Sequence, residues 1–139
     1  MRALLLHVNK FEVNVIEESR RPFGIVPETK KGTSEKMEQC LVAFFCIEKT
    51  DTEKQLDELF REIIKTAKEF STENLMISPF VHLSKNISDP KTAKKYYLEL
   101  LKRFKATEFN IQSSYFGYHK RLLLDIKGHP GSFRYREFY

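Results

Sequence analysis

The run Cys40-Leu41-Val42-Ala43-Phe44-Phe45-Cys46-Ile47 sets eight apolar residues in succession, and from Thr52 onward the apolar period changes. A run of this length, rich in β-forming side chains, reads as a strand covered on both faces. Beyond it Leu56, Leu59, Phe60, Ile63, Ile64, Ala67 and Phe70 recur at three- and four-residue intervals, the single stripe of an amphipathic helix near Asp51–Phe70. Thr50 with Glu53, or Thr52 with Gln55, has the spacing of a capping box that would satisfy its first N–H groups. A doubly covered strand leading into a one-sided helix points to an α/β layer structure rather than a helical bundle.

Upstream of this junction, Arg2–Val8 reads as another buried strand and Phe11–Ile16 as a weaker second strand. Between them and Cys40, Ser19–Glu38 carries Pro22, Gly24, Pro27 and Gly32 without a period, as expected of a loop or hairpin excursion. Downstream, Asn74–Ser78 is a strand ending at Pro79, and Asp89 followed by Pro90 opens a second helix near Pro90–Lys105 with Ala93, Tyr96, Tyr97, Leu100, Leu101 and Phe104 inward. Phe109–Ser113 and the longer Tyr118–Lys127, bracketed by Gly117 and Gly128, complete the strands. The expectation is one α/β domain over residues 1–139, a mixed β-sheet with two main helices.

At 139 residues and 41% apolar content, such a domain can bury its core without staples, so Cys40 and Cys46 are expected as buried, reduced thiols. No apolar run approaches the roughly 20 residues of a membrane span, and the start Met1–His7 reads as a strand rather than a signal peptide. A cytoplasmic protein is expected. The net charge of +5 suits a polyanionic partner but is shared by many ordinary surfaces, and Lys91, Lys94, Lys95, Lys102, Arg103 and Lys105 also suit a solvated helix face.

Strand alternation sorts the chemistry of Tyr118–Lys127: Tyr118, Lys120, Leu122, Leu124 and Ile126 share one face, while His119, Arg121, Leu123, Asp125 and Lys127 share the other. Lys120 therefore ends an apolar face, either snorkelling to solvent or placed over a cleft. His82, in Pro79-Phe80-Val81-His82-Leu83-Ser84, follows a buried strand, where α/β proteins place ligand groups, although a lone histidine there also suits a purely structural role. His7, His82, His119 and His129 read as remote from one another, and HExxH, Gly-x-Ser-x-Gly, Walker and dinucleotide patterns are missing from the sequence. Neither a metal nor a cofactor is expected, and Cys46 in its apolar strand is a poor nucleophile.

Three phrases taken together, Met1-Arg2-Ala3-Leu4-Leu5-Leu6-His7, Ser78-Pro79-Phe80-Val81-His82-Leu83-Ser84 and Tyr115-Phe116-Gly117-Tyr118-His119-Lys120 with Lys127-Gly128-His129-Pro130, resemble the N-terminal editing domain of archaeal threonyl-tRNA synthetases. The resemblance runs from Met1 to about Pro130 and implies a fold like that of D-aminoacyl-tRNA deacylase, usually a homodimer. It also implies binding of the aminoacylated 3′ end of threonine tRNA and release of serine, within a longer synthetase or as a freestanding editor. The family's functional histidine falls on His82 and its lysine on Lys120. Backbone groups at Cys46, Ile47, Glu48, Pro79, Phe80 and Val81 would line the substrate pocket, with Tyr118 and His119 also binding substrate. The sequence departs from the family at His119, usually tyrosine, at Val8-Asn9, usually Ser-Asp, and at Phe133, usually glutamate, which makes Gly131–Tyr139 the divergent segment. The competing expectations are a freestanding D-aminoacyl-tRNA deacylase and a non-catalytic tRNA-binding or dimerisation module.

Overall fold

The computed structural model describes residues 1–18 and 31–139. Its elements are β1 (Arg2–Glu18), β2 (Ser34–Cys46), α1 (Glu53–Glu69), β3 (Asn74–Pro79), a 3₁₀ turn (Val81–Leu83), α2 (Pro90–Lys105), β4 (Asn110–Ser113), β5 (Tyr118–Ile126) and β6 (Phe133–Glu137). The sheet runs β4-β3-β2-β1-β5, and β6 also pairs with β1. β1 is long enough to serve two partners on one edge, β6 along Arg2–Leu6 and β5 from Val8 onward. β2 to β3 and β3 to β4 are parallel, and all pairs with β1 are antiparallel, so the sheet is mixed as expected.

Both helices begin where their caps dictate. Thr52 and Gln55 form the reciprocal box on α1, which decides between the two candidates, and the Asp89 carboxylate accepts from the Thr92 N–H at the start of α2. Leu56, Leu59, Ile63 and Ala67 of α1 join Tyr97, Leu100, Leu101 and Phe104 of α2 in one core with Ala3, Leu5, Leu41, Ala43, Phe45, Leu75 and Ile77 of the sheet. Arg103 ties the helices together through Glu53 and Asp57 on α1 and Glu99 on its own helix, so its charge is spent within the fold.

Among the described residues, neither α1 nor α2 packs on the other sheet face. Leu6, Val8, Phe11, Val13, Met37, Cys40, Val42, Phe44 and Met76 form a second cluster there, rimmed by Phe80, Leu83, Leu122, Leu124 and Ile126. It is buried because the sheet curls. In a flat five-strand sheet, β4 and β5 would lie four strand spacings apart, about 19 Å, whereas the five residue steps from Ser113 to Tyr118 reach at most roughly 17 Å. The hydroxyl of Tyr115 in that short connection donates to Glu35 of β2, at 2.6 Å. The far end of the β1–β2 hairpin is thus drawn back over its own sheet.

Three features differ from the sequence reading. The strands expected at Arg2–Val8 and Phe11–Ile16 are one strand, whose pairing with β5 slips between Val8 and Lys10 and again between Val15 and Glu17. The first of these bulges moves the inward set from Leu6 and Val8 to Phe11, Val13 and Val15, and the change of parity imitates a strand break. The excursion at Ser19–Glu38 is shorter than expected, because β2 already begins at Ser34; residues 19–30 of it lie outside the described residues. Lastly, the divergent C-terminal segment contains β6, too short and too polar in Phe133-Arg134-Tyr135-Arg136-Glu137 to announce itself. Among the described residues, no helix is long and apolar enough to cross a membrane.

Candidate active site

The C-terminal ends of β2 and β3 carry most of the residues singled out by the sequence. Beyond Pro79, the Phe80 N–H still donates to the Phe45 carbonyl at 2.8 Å, and the Phe80 ring lies 4.9 Å from that of Phe44. The chain then turns through Val81–Leu83, leaving Val81 half-exposed and His82 at the surface, its ring edge-on to Phe80 at 5.0 Å. Cys46 lies beneath, its thiol 3.6 Å from the Val81 carbonyl. Burial, with a smaller contribution from Glu48, pushes that thiol up to about 11, so it remains protonated near neutrality, in line with its dismissal as a nucleophile.

Lys120 lies on β5, at the far side of the sheet order from β3. Its ammonium donates to the Tyr115 carbonyl at 2.6 Å. Tyr115 follows Ser114, whose buried hydroxyl is 2.6 Å from that of Ser78, and the Ser114 N–H donates to the Ile77 carbonyl. Lys120 is therefore tied, through two short links, to the segment Ser78–His82. Tyr115 occupies a left-handed backbone conformation at φ 69° and Gly117 another at φ 86°, the means by which so short a connection turns the chain. The alternation read from sequence holds: Tyr118, Lys120, Leu122, Leu124 and Ile126 are buried or half-buried, while His119, Arg121, Leu123 and Asp125 are exposed.

The rim does not gather every residue implied by the family resemblance. His119 lies on the outer face of β5, opposite to Lys120. Near Cys46–Glu48, the Ile47 carbonyl accepts from Ser88 and the Glu48 N–H donates to Asp51, so both are already engaged within the fold. The Glu48 carboxylate is engaged as well, by the Ser84 hydroxyl, the Arg2 guanidinium and the Met1 ammonium. Burial alone would raise its pKa, but these partners outweigh burial and hold it below the usual carboxylate range. His82 and Lys120 share no direct hydrogen bond among the described residues. Ser84 and Tyr115, both tied to this rim, carry no sequence signal beyond membership of the quoted phrases.

The expectation that the histidines stand apart fails for one pair. His7 Nδ1 and His129 Nε2 are 2.7 Å apart, because β1 and the turn after β5 close on each other, with the His7 N–H on the Ser132 carbonyl and the Lys127 N–H on the His7 carbonyl. The Gly131 N–H donates to His129 Nδ1, which leaves the His129 proton on Nε2, donated to His7, and the His7 proton on Nε2. The His7 ring also stacks on Phe70 at 4.6 Å. Burial first, then His129 and Lys127, lower the His7 pKa. A histidine whose folded pKa is depressed favours the folded state above its unfolded value, near 6.5, and that advantage is lost as pH falls through the interval below it. The urea midpoint should therefore fall between pH 7.5 and pH 5.5, and by less in His7→Leu. A midpoint that is flat or rising over that interval would contradict the assignment.

Comparison with known proteins places this geometry. The sequence profile of the Archaea-specific editing domain of threonyl-tRNA synthetase matches residues 1–138. Similar curated proteins include the threonine-tRNA ligases of Pyrococcus furiosus (37% identity over 135 residues), Pyrococcus horikoshii (34% over 134) and Methanococcus aeolicus (30% over 133). Each alignment covers 94% of this chain but only 20–21% of the ligase, so the chain spans about a fifth of the length of these relatives. Among solved structures, a c-Myc DNA unwinding element binding protein superposes with a TM-score of 0.75 at 14% identity, covering 100% of this chain and 99% of that one. A probable eukaryotic D-amino acid tRNA deacylase superposes with a TM-score of 0.59 at 10% identity, covering 91% and 94%. At these identities, the structural likeness establishes the fold alone, the D-aminoacyl-tRNA deacylase-like one expected.

Proposed function

Because the chain belongs to the Archaea-specific editing-domain family of threonyl-tRNA synthetase, we propose that it hydrolyses the ester of serine wrongly attached to threonine tRNA. The observation that carries this reading is the Lys120 ammonium, held by the Tyr115 carbonyl at the end of an apolar face and tied to the segment that bears His82. A synthetic site built for threonine cannot strongly reject serine, since one methyl is worth only ~1–3 kcal/mol, so a second, hydrolytic site is physically motivated.

In this mechanism, the aminoacylated 3′ adenosine lies across the rim between the β3 end and β5. Lys120 orients the attacking water and the ester and favours negative charge developing on the ester oxygen, while His82 holds the terminal ribose. Pro79, Phe80 and Val81 form the wall on the β3 side, and Tyr118 the wall beside Lys120. The 2′-hydroxyl of the RNA assists as a further proton-bearing group, supplied by the substrate itself. No protein nucleophile is needed for an activated ester. The test is release of serine from seryl-tRNAThr by the purified protein.

The reading includes a cytoplasmic homodimer, working beside or within a longer synthetase. Its support is the helix-free face, where Phe133 and Tyr135 of β6 pair with Leu6 and Leu4 of β1 and stay exposed, at 65% and 46%. Covering such a strip removes apolar surface from water at roughly 25 cal/mol per Å². Light scattering should give twice the mass of the chain. A monomeric parent at micromolar concentration would rule the dimer out.

A further inference from the structure

We infer that Ser84 is a positioning residue for His82, acting through the carboxylate of Glu48; the inference rests on the editing reading and adds to it a residue outside the expected site. The segment from Phe80 to Ser88 leaves the sheet and is pinned by backbone bonds at its two ends: Phe80 N–H to the Phe45 carbonyl at 2.8 Å, Ser88 N–H to the Ile47 carbonyl at 2.9 Å, and Lys49 N–H to the Asn86 carbonyl at 3.1 Å. Between the pins, among the described residues, the turn that carries His82 is closed by one long backbone bond, Ser84 N–H to the Val81 carbonyl at 3.4 Å, with the Cys46 thiol 3.6 Å from the same carbonyl. The His82 ring rests edge-on against Phe80 and supplies little restraint of its own.

The grip on the middle of this segment is a side-chain bond. Ser84 Oγ donates to Glu48 Oε1 at 2.5 Å and accepts from the Asn86 N–H at 3.0 Å. Glu48 is a stiff acceptor, with its side chain only 12% exposed, Arg2 Nε on the same oxygen at 3.0 Å and the Met1 ammonium on the other at 2.9 Å. A hydrogen bond to an ionised, immobilised acceptor is about twice as strong as one between neutral groups. Ser84 lies two residues after His82 at the end of a single 3₁₀ turn, so a shift of one moves the other. Glu48 thereby serves the site from behind, as the anchor of the loop, rather than by touching substrate.

The test pairs Ser84→Ala and Ser84→Thr with His82→Ala in single-turnover hydrolysis of seryl-tRNAThr, together with the NMR signals of the His82 imidazole. Ser84→Ala should slow the step roughly tenfold, on the scale of one lost hydrogen bond to a charged group, with substrate affinity unchanged. Ser84→Thr, which keeps the hydroxyl, should recover most of the rate. In the His82→Ala background, Ser84→Ala should have no further effect, since the group it positions is gone. Equal slowing in both backgrounds, or a loss confined to affinity, would overturn the inference. The imidazole signals should move in Ser84→Ala and return in Ser84→Thr; signals that stay in place in a folded Ser84→Ala protein would overturn it without reference to activity. An inactive parent would instead mark failure of the editing reading, and the two failures are thus distinguishable.

Discussion

Lys120→Ala should slow serine release from seryl-tRNAThr by roughly 10²–10³-fold, the cost of removing one preorganised group from developing negative charge. The loss should fall on the chemical step, with tRNA affinity little changed, because most of the binding energy comes from RNA remote from the ester. The fold should survive. Lys120 pairs through its backbone with Val15, and its ammonium bonds a carbonyl of the connecting turn, so alanine removes a half-buried polar tip and leaves the Leu122–Ile126 packing in place. Lys120→Arg is expected to rescue poorly, since a planar guanidinium cannot occupy the position of a compact ammonium. Single-turnover rates at saturating enzyme, with thermal melts of each variant, separate the two effects. A Lys120→Ala protein that is folded and as fast as the parent would remove the lysine from the mechanism.

Much of the architecture was legible because it rests on local rules. The helix starts were legible in Thr52 with Gln55, one of two candidate boxes, and in Asp89 with Pro90. The placement of Lys120 on an apolar face needed only the two-residue period of β5. The illegible parts are long-range. The bulge between Val8 and Lys10 flips the inward parity of β1, and from sequence alone a parity flip is indistinguishable from a break between strands. β6 survives as a strand by borrowing the free edge of β1 beside Arg2–Leu6, a pairing that its own charged residues do not advertise.

For the site, the same division applies. His82 and Lys120 were found as separate signals, one after a buried strand and the other on a strand face. The proposal that they serve one site leans on the curl of the sheet and the tie from Ser114 to Ser78, residues 36 positions apart. The pairing of His7 with His129 was missed for the same reason, since the two are separated by 122 positions and meet only when β1 has paired with β5. Glu48 entered the expected site through the family resemblance, for its backbone; its carboxylate bonds Ser84, Arg2 and Met1, partners that no local pattern announces.

The most direct test of the account is a parallel measurement of ester hydrolysis on seryl-tRNAThr and threonyl-tRNAThr by the parent protein, with a D-aminoacyl-tRNA as the third substrate. The serine ester should be cleaved about 10–200-fold faster than the threonine ester, the range that exclusion of one methyl can supply in a close-fitting pocket. Discrimination should appear in the single-turnover rate, because the tRNA is common to both substrates and only the aminoacyl end differs. Rapid cleavage of the serine ester with the threonine ester spared is the predicted result. Cleavage of the D-aminoacyl ester alone would assign the rim to deacylation of mirror-image substrates, and failure to cleave any of the three would leave a tRNA-binding module; either result would contradict the account.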